Sequence, residues 1–116
     1  MVDTTQTTIN YDDFAKLDLR VATVVECRPH ANADKLLVLQ IELAGGERRQ
    51  ICAGLRAFYQ PDQLVGRQIV VVANLQPAIL AGVQSQGMLL AATDEQGRAI
   101  SSVSSAFTRR LIRQLR

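Results

Sequence analysis

Soft metal ligands are scarce in this chain: Cys27, Cys52 and a single histidine, His30, among 116 residues. Neither cysteine belongs to a CxxC pair, and no histidine cluster accompanies them. That pattern argues against a disulfide framework and against a metal site, and it predicts two buried free thiols in a reducing compartment. His30 is read as a solvated loop residue. No apolar run approaches the roughly 18 residues that a membrane span needs. Residues 1–10, MVDTTQTTIN, carry no basic residue and no apolar core of the kind that marks a signal peptide. A cytoplasmic address with no membrane partner is therefore expected. GxSxG, HExxH, a Walker loop and GxGxxG are all missing, and Asp12 with Asp13 fits a helix start better than an acid/base dyad. The chain is accordingly not read as an enzyme, and no catalytic residue, cofactor or metal is assigned. No period of 20 residues or more repeats, which sets aside solenoids.

What is present is the composition of an ordinary globular domain, 47% apolar and 21% charged. Charge is unevenly placed. Of the 13 basic residues, Arg109, Arg110, Arg113 and Arg116 fall in the last eight positions, which hold no acid, so nine basic residues face 11 acidic ones in the remainder. Any nucleic-acid role must rest on local placement of charge rather than on a basic protein overall.

The residues read as strands almost throughout. Asn10 can cap a short helix beginning at Tyr11, with Asp12 and Asp13 in its first turn. From Leu17 to Arg28 apolar and polar residues nearly alternate, with Leu17, Leu19, Val21, Val25 and Cys27 assigned inward. Leu37, Leu39, Ile41 and Leu43 line a second strand, Ala44–Gly45–Gly46 turns the chain, and Arg48 to Cys52 returns as a third. Leu55, Phe58 and Tyr59 predict a short helix that Pro61 ends. Ile69 to Ala73 and Met88 to Ala92 are short apolar runs that read as buried strands. Between them a loop punctuated by Pro77, Gly82 and Gly87 is expected to display Asn74, Gln76, Gln84, Ser85 and Gln86. Five short strands with a helix between the third and fourth is the order of an OB-fold, a small Greek-key barrel. The predicted fold is all-β: a five-stranded OB barrel with a short N-terminal helix, a helix between strands 3 and 4, and a basic helical tail. Residues 1–10 are expected to fray, 11–100 to form the barrel, and 101–116 to be a serine-rich spacer and an amphipathic segment. In that segment Phe107, Leu111 and Leu115 share one helical face and Arg109, Arg113 and Arg116 another. It fits docking on the barrel or a partner subunit, phosphate contact, or membrane-surface binding.

Four motifs occur in order: DLRV, NADKL, LVG followed by VVVANL, and GVQSQGM. Together they closely resemble the tRNA-binding domain appended to many methionyl-tRNA synthetases and found alone as structure-specific tRNA-binding proteins, over about Tyr11 to Ala92. The resemblance implies an OB barrel that binds the tertiary shape of tRNA without reading base sequence, commonly as a homodimer, with an aminoacyl-tRNA synthetase as a possible further partner. A branch of the same fold that acts as a chaperone-like export factor supplies the alternative function, with Pro77 to Val83 binding polypeptide.

Carried onto this chain, the motifs mark Asn32 and Lys35 in NADKL and Ser85, Gln86 and Met88 in SQGM as RNA-facing, with Arg20, Arg48 and Arg49 as a candidate cationic track. A-form RNA offers phosphates and 2′-hydroxyls to cations and neutral hydrogen-bonding groups, which suits this set. Each residue also has a structural reading: Lys35 as a solvated strand-start charge, Asn32 as a turn residue, Met88 as core. Asn74 is expected to hold the loop through side chain to backbone bonds. Two features depart from the family. The loop after VVVANL lacks the basic residues that relatives carry, and the Arg-rich tail stands where relatives have a Pro-Gly segment that helps form the dimer. Arg109, Arg110, Arg113 and Arg116 are therefore candidate tail contacts to RNA.

Overall fold

The computed structural model describes residues 7–100. Helix α1 (Tyr11–Ala15) leads into β1 (Leu19–Pro29), β2 (Leu37–Leu43) and β3 (Arg48–Ala53). Helix α2 (Pro61–Leu64) follows, then β4 (Gln68–Val72), β5 (Ala78–Leu80), β6 (Val83–Ser85), β7 (Met88–Leu89), β8 (Ala92–Thr93) and β9 (Ala99–Ile100). Five strands form one antiparallel sheet in the order β3-β2-β1-β4-β7, curled into a nearly closed OB-like barrel, while β5–β6 and β8–β9 are separate hairpins.

The barrel interior is filled by Leu37, Leu39, Ile41, Ile51, Ile69 and Val71, all fully buried. On β2 this is the alternation expected from sequence. On β1 it is not: Ala22 and Val24 point into the core, whereas Leu19, Val21 and Val25 are only half-buried and Leu17 is exposed. A bulge between Val24 and Glu26 shifts the register, so that only Cys27 of the inward set reaches the core. The face that β1 presents away from the core is apolar as well. The registers place Leu19, Val72 and Met88 in one outer row, and Val21 with Val70 in the next, beside Leu90. The first half of β1 is therefore apolar on both faces, and alternation alone could not tell which of them meets the core.

Asn10 caps α1 as expected, its Oδ1 accepting from Asp13 N at 2.8 Å. Pro61 does not end a helix; it opens one, as N1 of α2, where its missing N–H is no loss. Leu55 to Tyr59 is instead a turn, with Tyr59 N donating to Leu55 O at 3.0 Å. The run expected as one strand from Met88 to Ala92 is split: Met88–Leu89 pairs with β4 and Ala92–Thr93 with β9. The region between the fourth and fifth strands, expected as a loop, contains the β5–β6 hairpin. Residues 1–6 of the N-terminus, and the spacer and tail with Arg109, Arg110, Arg113 and Arg116, lie outside the described residues.

Candidate nucleic-acid interface

The barrel has one gap, between β3 and β7, and the SQG stretch closes it. Ser85 Oγ accepts from Cys52 N at 2.9 Å and donates to Gly87 O at 3.1 Å. Gln86 Oε1 accepts from Gln50 N at 3.1 Å, and Gln86 N donates to Gln50 O at 2.8 Å. Gln50 Nε2 in turn donates to Gln84 O at 2.8 Å. One backbone bond and three side-chain bonds thus take the place of a strand ladder along the free edge of β3, where unpaired backbone groups would otherwise be left. Gly87 sits at φ 143°, and a Cβ there would lie 3.0 Å from Val72 O. The motif therefore needs glycine at this point to let the backbone approach β4. Ser85 is buried, not displayed as the sequence suggested, and Gln86 is half-buried with its carbonyl engaged. Met88, 43% exposed, stands on the outer face beside Val72 rather than in the core.

Asn32 and Lys35 lie exposed on the loop joining β1 to β2. His30 organises that loop, and sequence reasoning missed it. Its ring is buried; Nδ1 accepts from Asn32 N at 2.9 Å, and Nε2 lies 2.9 Å from Leu80 O. With Nδ1 accepting, the ring proton is on Nε2 and is donated to Leu80 O. One neutral imidazole thereby fixes the Asn32–Lys35 loop and ties it to the β5–β6 hairpin. A lone histidine carries no sequence signal for such a role, because its partners are backbone groups.

The expected cationic track is elsewhere and is largely neutralised. Arg20 is held by Asp18 at 2.9 Å and approaches Glu47 at 3.9 Å, and the Asp18 hydrogen bond raises the guanidinium pKa above its ordinary value. Arg48 pairs with Glu42 at 3.3 Å. Arg49 is half-buried, bonded to Glu47 at 2.7 Å and donating from Nη1 to Ala73 O at 2.6 Å, which makes it part of the barrel seam. These arginines gather around the β2–β3 turn and the start of β1, whereas Asn32 and Lys35 are at the opposite end of β1. Asn74 does hold its surroundings by backbone bonds: Oδ1 accepts from Asp18 N at 2.9 Å and Nδ2 donates to Lys16 O at 2.7 Å.

Both cysteines are free thiols. Burial pushes the Cys27 thiol up, and it does the same to Cys52, where the charge of Arg28 partly offsets it. Among the described residues no group of three His, Cys, Asp or Glu is placed to hold a metal, and no helix is long and apolar enough to cross a membrane.

The comparisons with known proteins agree with this architecture. The family model described as "Putative tRNA binding domain" matches residues 19–108. A methionine–tRNA ligase from Deinococcus radiodurans is 55% identical over 89 residues, which is 77% of this chain and 13% of that protein. The chain thus spans about an eighth of the length of this relative. Among solved structures, a MetRS-related protein from Pyrococcus horikoshii superposes with a TM-score of 0.77 at 31% identity, covering 86% of this chain and 92% of that one. The chaperone CsaA from Bacillus anthracis gives 0.71 at 30% identity, covering 82% and 87%. With its barrel, its closing motif and a family match over most of its length, the chain belongs to the tRNA-binding domain family.

Proposed function

We propose that the protein binds folded tRNA by shape, without reading base sequence, and serves in the cytoplasm as a non-catalytic accessory that delivers tRNA to an aminoacyl-tRNA synthetase in trans. The observation that carries this reading is the exposed Asn32–Lys35 loop, fixed by His30 against the β5–β6 hairpin. A preorganised loop offering one ammonium and one amide suits phosphates and 2′-hydroxyls and offers few bidentate readers of base edges. Gln86 and Met88 flank the barrel seam and extend the same reading, while Ser85 supports it from inside by holding that seam. The apolar outer face of β1, β4 and β7 supports a homodimer.

Mobility shift against several unrelated folded tRNAs and their unfolded transcripts tests the proposal. Similar affinities for the folded molecules and weak binding of the unfolded ones are expected; strong preference for one anticodon contradicts it. Turnover of ATP or aminoacylation by the purified protein would contradict the accessory role.

A second reading, polypeptide binding, is favoured by one observation. Leu75, Ile79 and Leu80 are exposed on or before the β5–β6 hairpin, with Ile79 at 74%, and the fold resembles that of a chaperone. An unfolded polypeptide in the same assay separates the two: binding that competes with tRNA, or replaces it, supports this second function.

A further inference from the structure

Of the nine cations among the described residues, five pair with a carboxylate, Arg67 lies over the Tyr59 ring at 5.7 Å, and the remaining three gather away from the five. Lys16, Arg20, Arg48, Arg49 and Arg98 each pair with a carboxylate. Arg28, Lys35 and Arg56 make no ion pair among the described residues, and all three are exposed. They also meet at one end of the barrel. Arg28, Val38 and Cys52 stand opposite one another across β1, β2 and β3, and the Arg28 charge reaches the Cys52 thiol. Arg56 N donates to Lys35 O at 3.4 Å, which sets the turn after β3 beside the β1–β2 loop. Two acids belong to the same region: Glu26 shares the outer face of β1 with Arg28, and Asp34 adjoins Lys35 in the loop, yet neither forms an ion pair with the three cations.

We infer that Arg28 and Arg56 join Lys35 as the phosphate-contacting track, and that the paired arginines Arg20, Arg48 and Arg49 serve the fold instead. The inference rests on the tRNA-binding reading and specifies where RNA lies: across the ends of β1 and β3 and the Asn32–Lys35 loop, not over the β2–β3 turn. The physical ground is that a cation already paired with a carboxylate presents little net positive charge and so gains less from a phosphate. An unpaired, solvated one releases counterions from the RNA with its full charge. Sequence alone could not sort the arginines, because pairing depends on which strands the fold brings side by side.

The experiment is a salt titration of tRNA binding by the full chain and by Arg28→Gln, Arg56→Gln, Arg20→Gln and Arg48→Gln, each checked for an unchanged melting temperature. Each of the first two should lower the slope of log K against log salt by roughly 0.7 to 0.9 and weaken binding to all folded tRNAs alike. Arg28→Lys and Arg56→Lys should restore most of the slope, since the charge remains. Unchanged slopes at Arg28 and Arg56, or equal flattening at Arg20 and Arg48, would overturn the inference while leaving tRNA binding intact. Absence of salt-dependent tRNA binding by the unmodified protein would overturn the underlying reading as well.

Discussion

Ser85 spends its only donor and one of its two acceptor lone pairs inside the fold, and its burial keeps the remaining lone pair away from the surface. The SQGM motif marked it as an RNA contact; its environment makes it the clasp of the barrel. Replacing it by alanine leaves Cys52 N and Gly87 O without these partners, a loss of about 1–3 kcal/mol when the groups stay dry. Ser85→Ala is therefore expected to lower the melting temperature by several degrees, yet to bind tRNA with near-normal affinity and an unchanged salt slope when assayed well below that temperature. A variant with native melting behaviour and lost tRNA affinity would place the hydroxyl at the RNA surface instead. His30 is a parallel case, read from sequence as solvated and found buried between two backbone partners. Residue type told of hydrogen-bonding capacity at both positions, but the partner in the fold decides whether that capacity faces RNA or the protein itself.

Among the elements, those legible in the sequence were the ones with one dry and one wet face. From Leu39 onward β2 alternates, and Leu39, Ile41 and Leu43 were identified as inward from spacing alone. The N-terminal helix was legible from its cap. β1 was legible as a strand but not in its facing, because the outer surface of β1, β4 and β7 is also apolar and Ala22 gives a weak signal for an inward position. The β5–β6 hairpin was missed because its strands are three residues long and β5 is exposed throughout, so no alternation marks it. In the β8–β9 hairpin one side chain adds to the strand ladder and to the backbone bond from Asp94 N to Arg98 O at 2.9 Å. Asp94 accepts from Gln96 N at 2.9 Å and Arg98 N at 2.8 Å through Oδ1, and from Arg98 Nε at 2.8 Å through Oδ2. The backbone bond from Arg98 leads the causes that hold its pKa below the ordinary carboxylate value; desolvation opposes it, and the Arg98 guanidinium and the Gln96 amide add to the lowering. A depressed folded pKa contributes stability that is fully present above the unfolded value and is lost as pH falls through the folded one. Acid titration followed by NMR should show Gln96 and Arg98 amides shifting below the ordinary carboxylate range while β2 amides stay fixed. Asp94→Asn should shift both amides at neutral pH and remove that transition. Persistence of the acid transition in the variant would assign it to another group.

Over the entire chain, charge is distributed in a way that turns on the tail. Four arginines sit in the last eight residues, while the loop between Leu75 and Val83 carries no basic residue at all. If the tail replaced that loop in gripping phosphate, RNA would be held partly by residues 109–116. Ten residues, however, are too few to hold a helix alone in water, so a helical stripe of Phe107, Leu111 and Leu115 would need an apolar surface to rest on. One is close to where the described chain ends. β9 pairs with β8, two residues beyond Leu90, and Leu90 is exposed on the outer face of the barrel beside Val70. The six residues between Ile100 and Phe107 can span roughly 20 Å when extended, ample to bring the stripe onto that face in the same chain or a second copy. Arg28, Lys35 and Arg56 already supply unpaired cations at another end of the barrel. Deletion of residues 107–116 is therefore expected to change the oligomeric state or lower the melting temperature and to leave the salt slope of tRNA binding in place. Light scattering and a salt titration on the truncated protein decide between the alternatives. An unchanged mass and melting temperature, with the slope flattened by roughly 0.7 to 0.9 for each phosphate that the tail had neutralised, would mean that the tail arginines grip RNA directly. Both measurements moving together would mean that docking presents the arginine face to the same RNA, with the apolar stripe as the anchor that makes the grip possible.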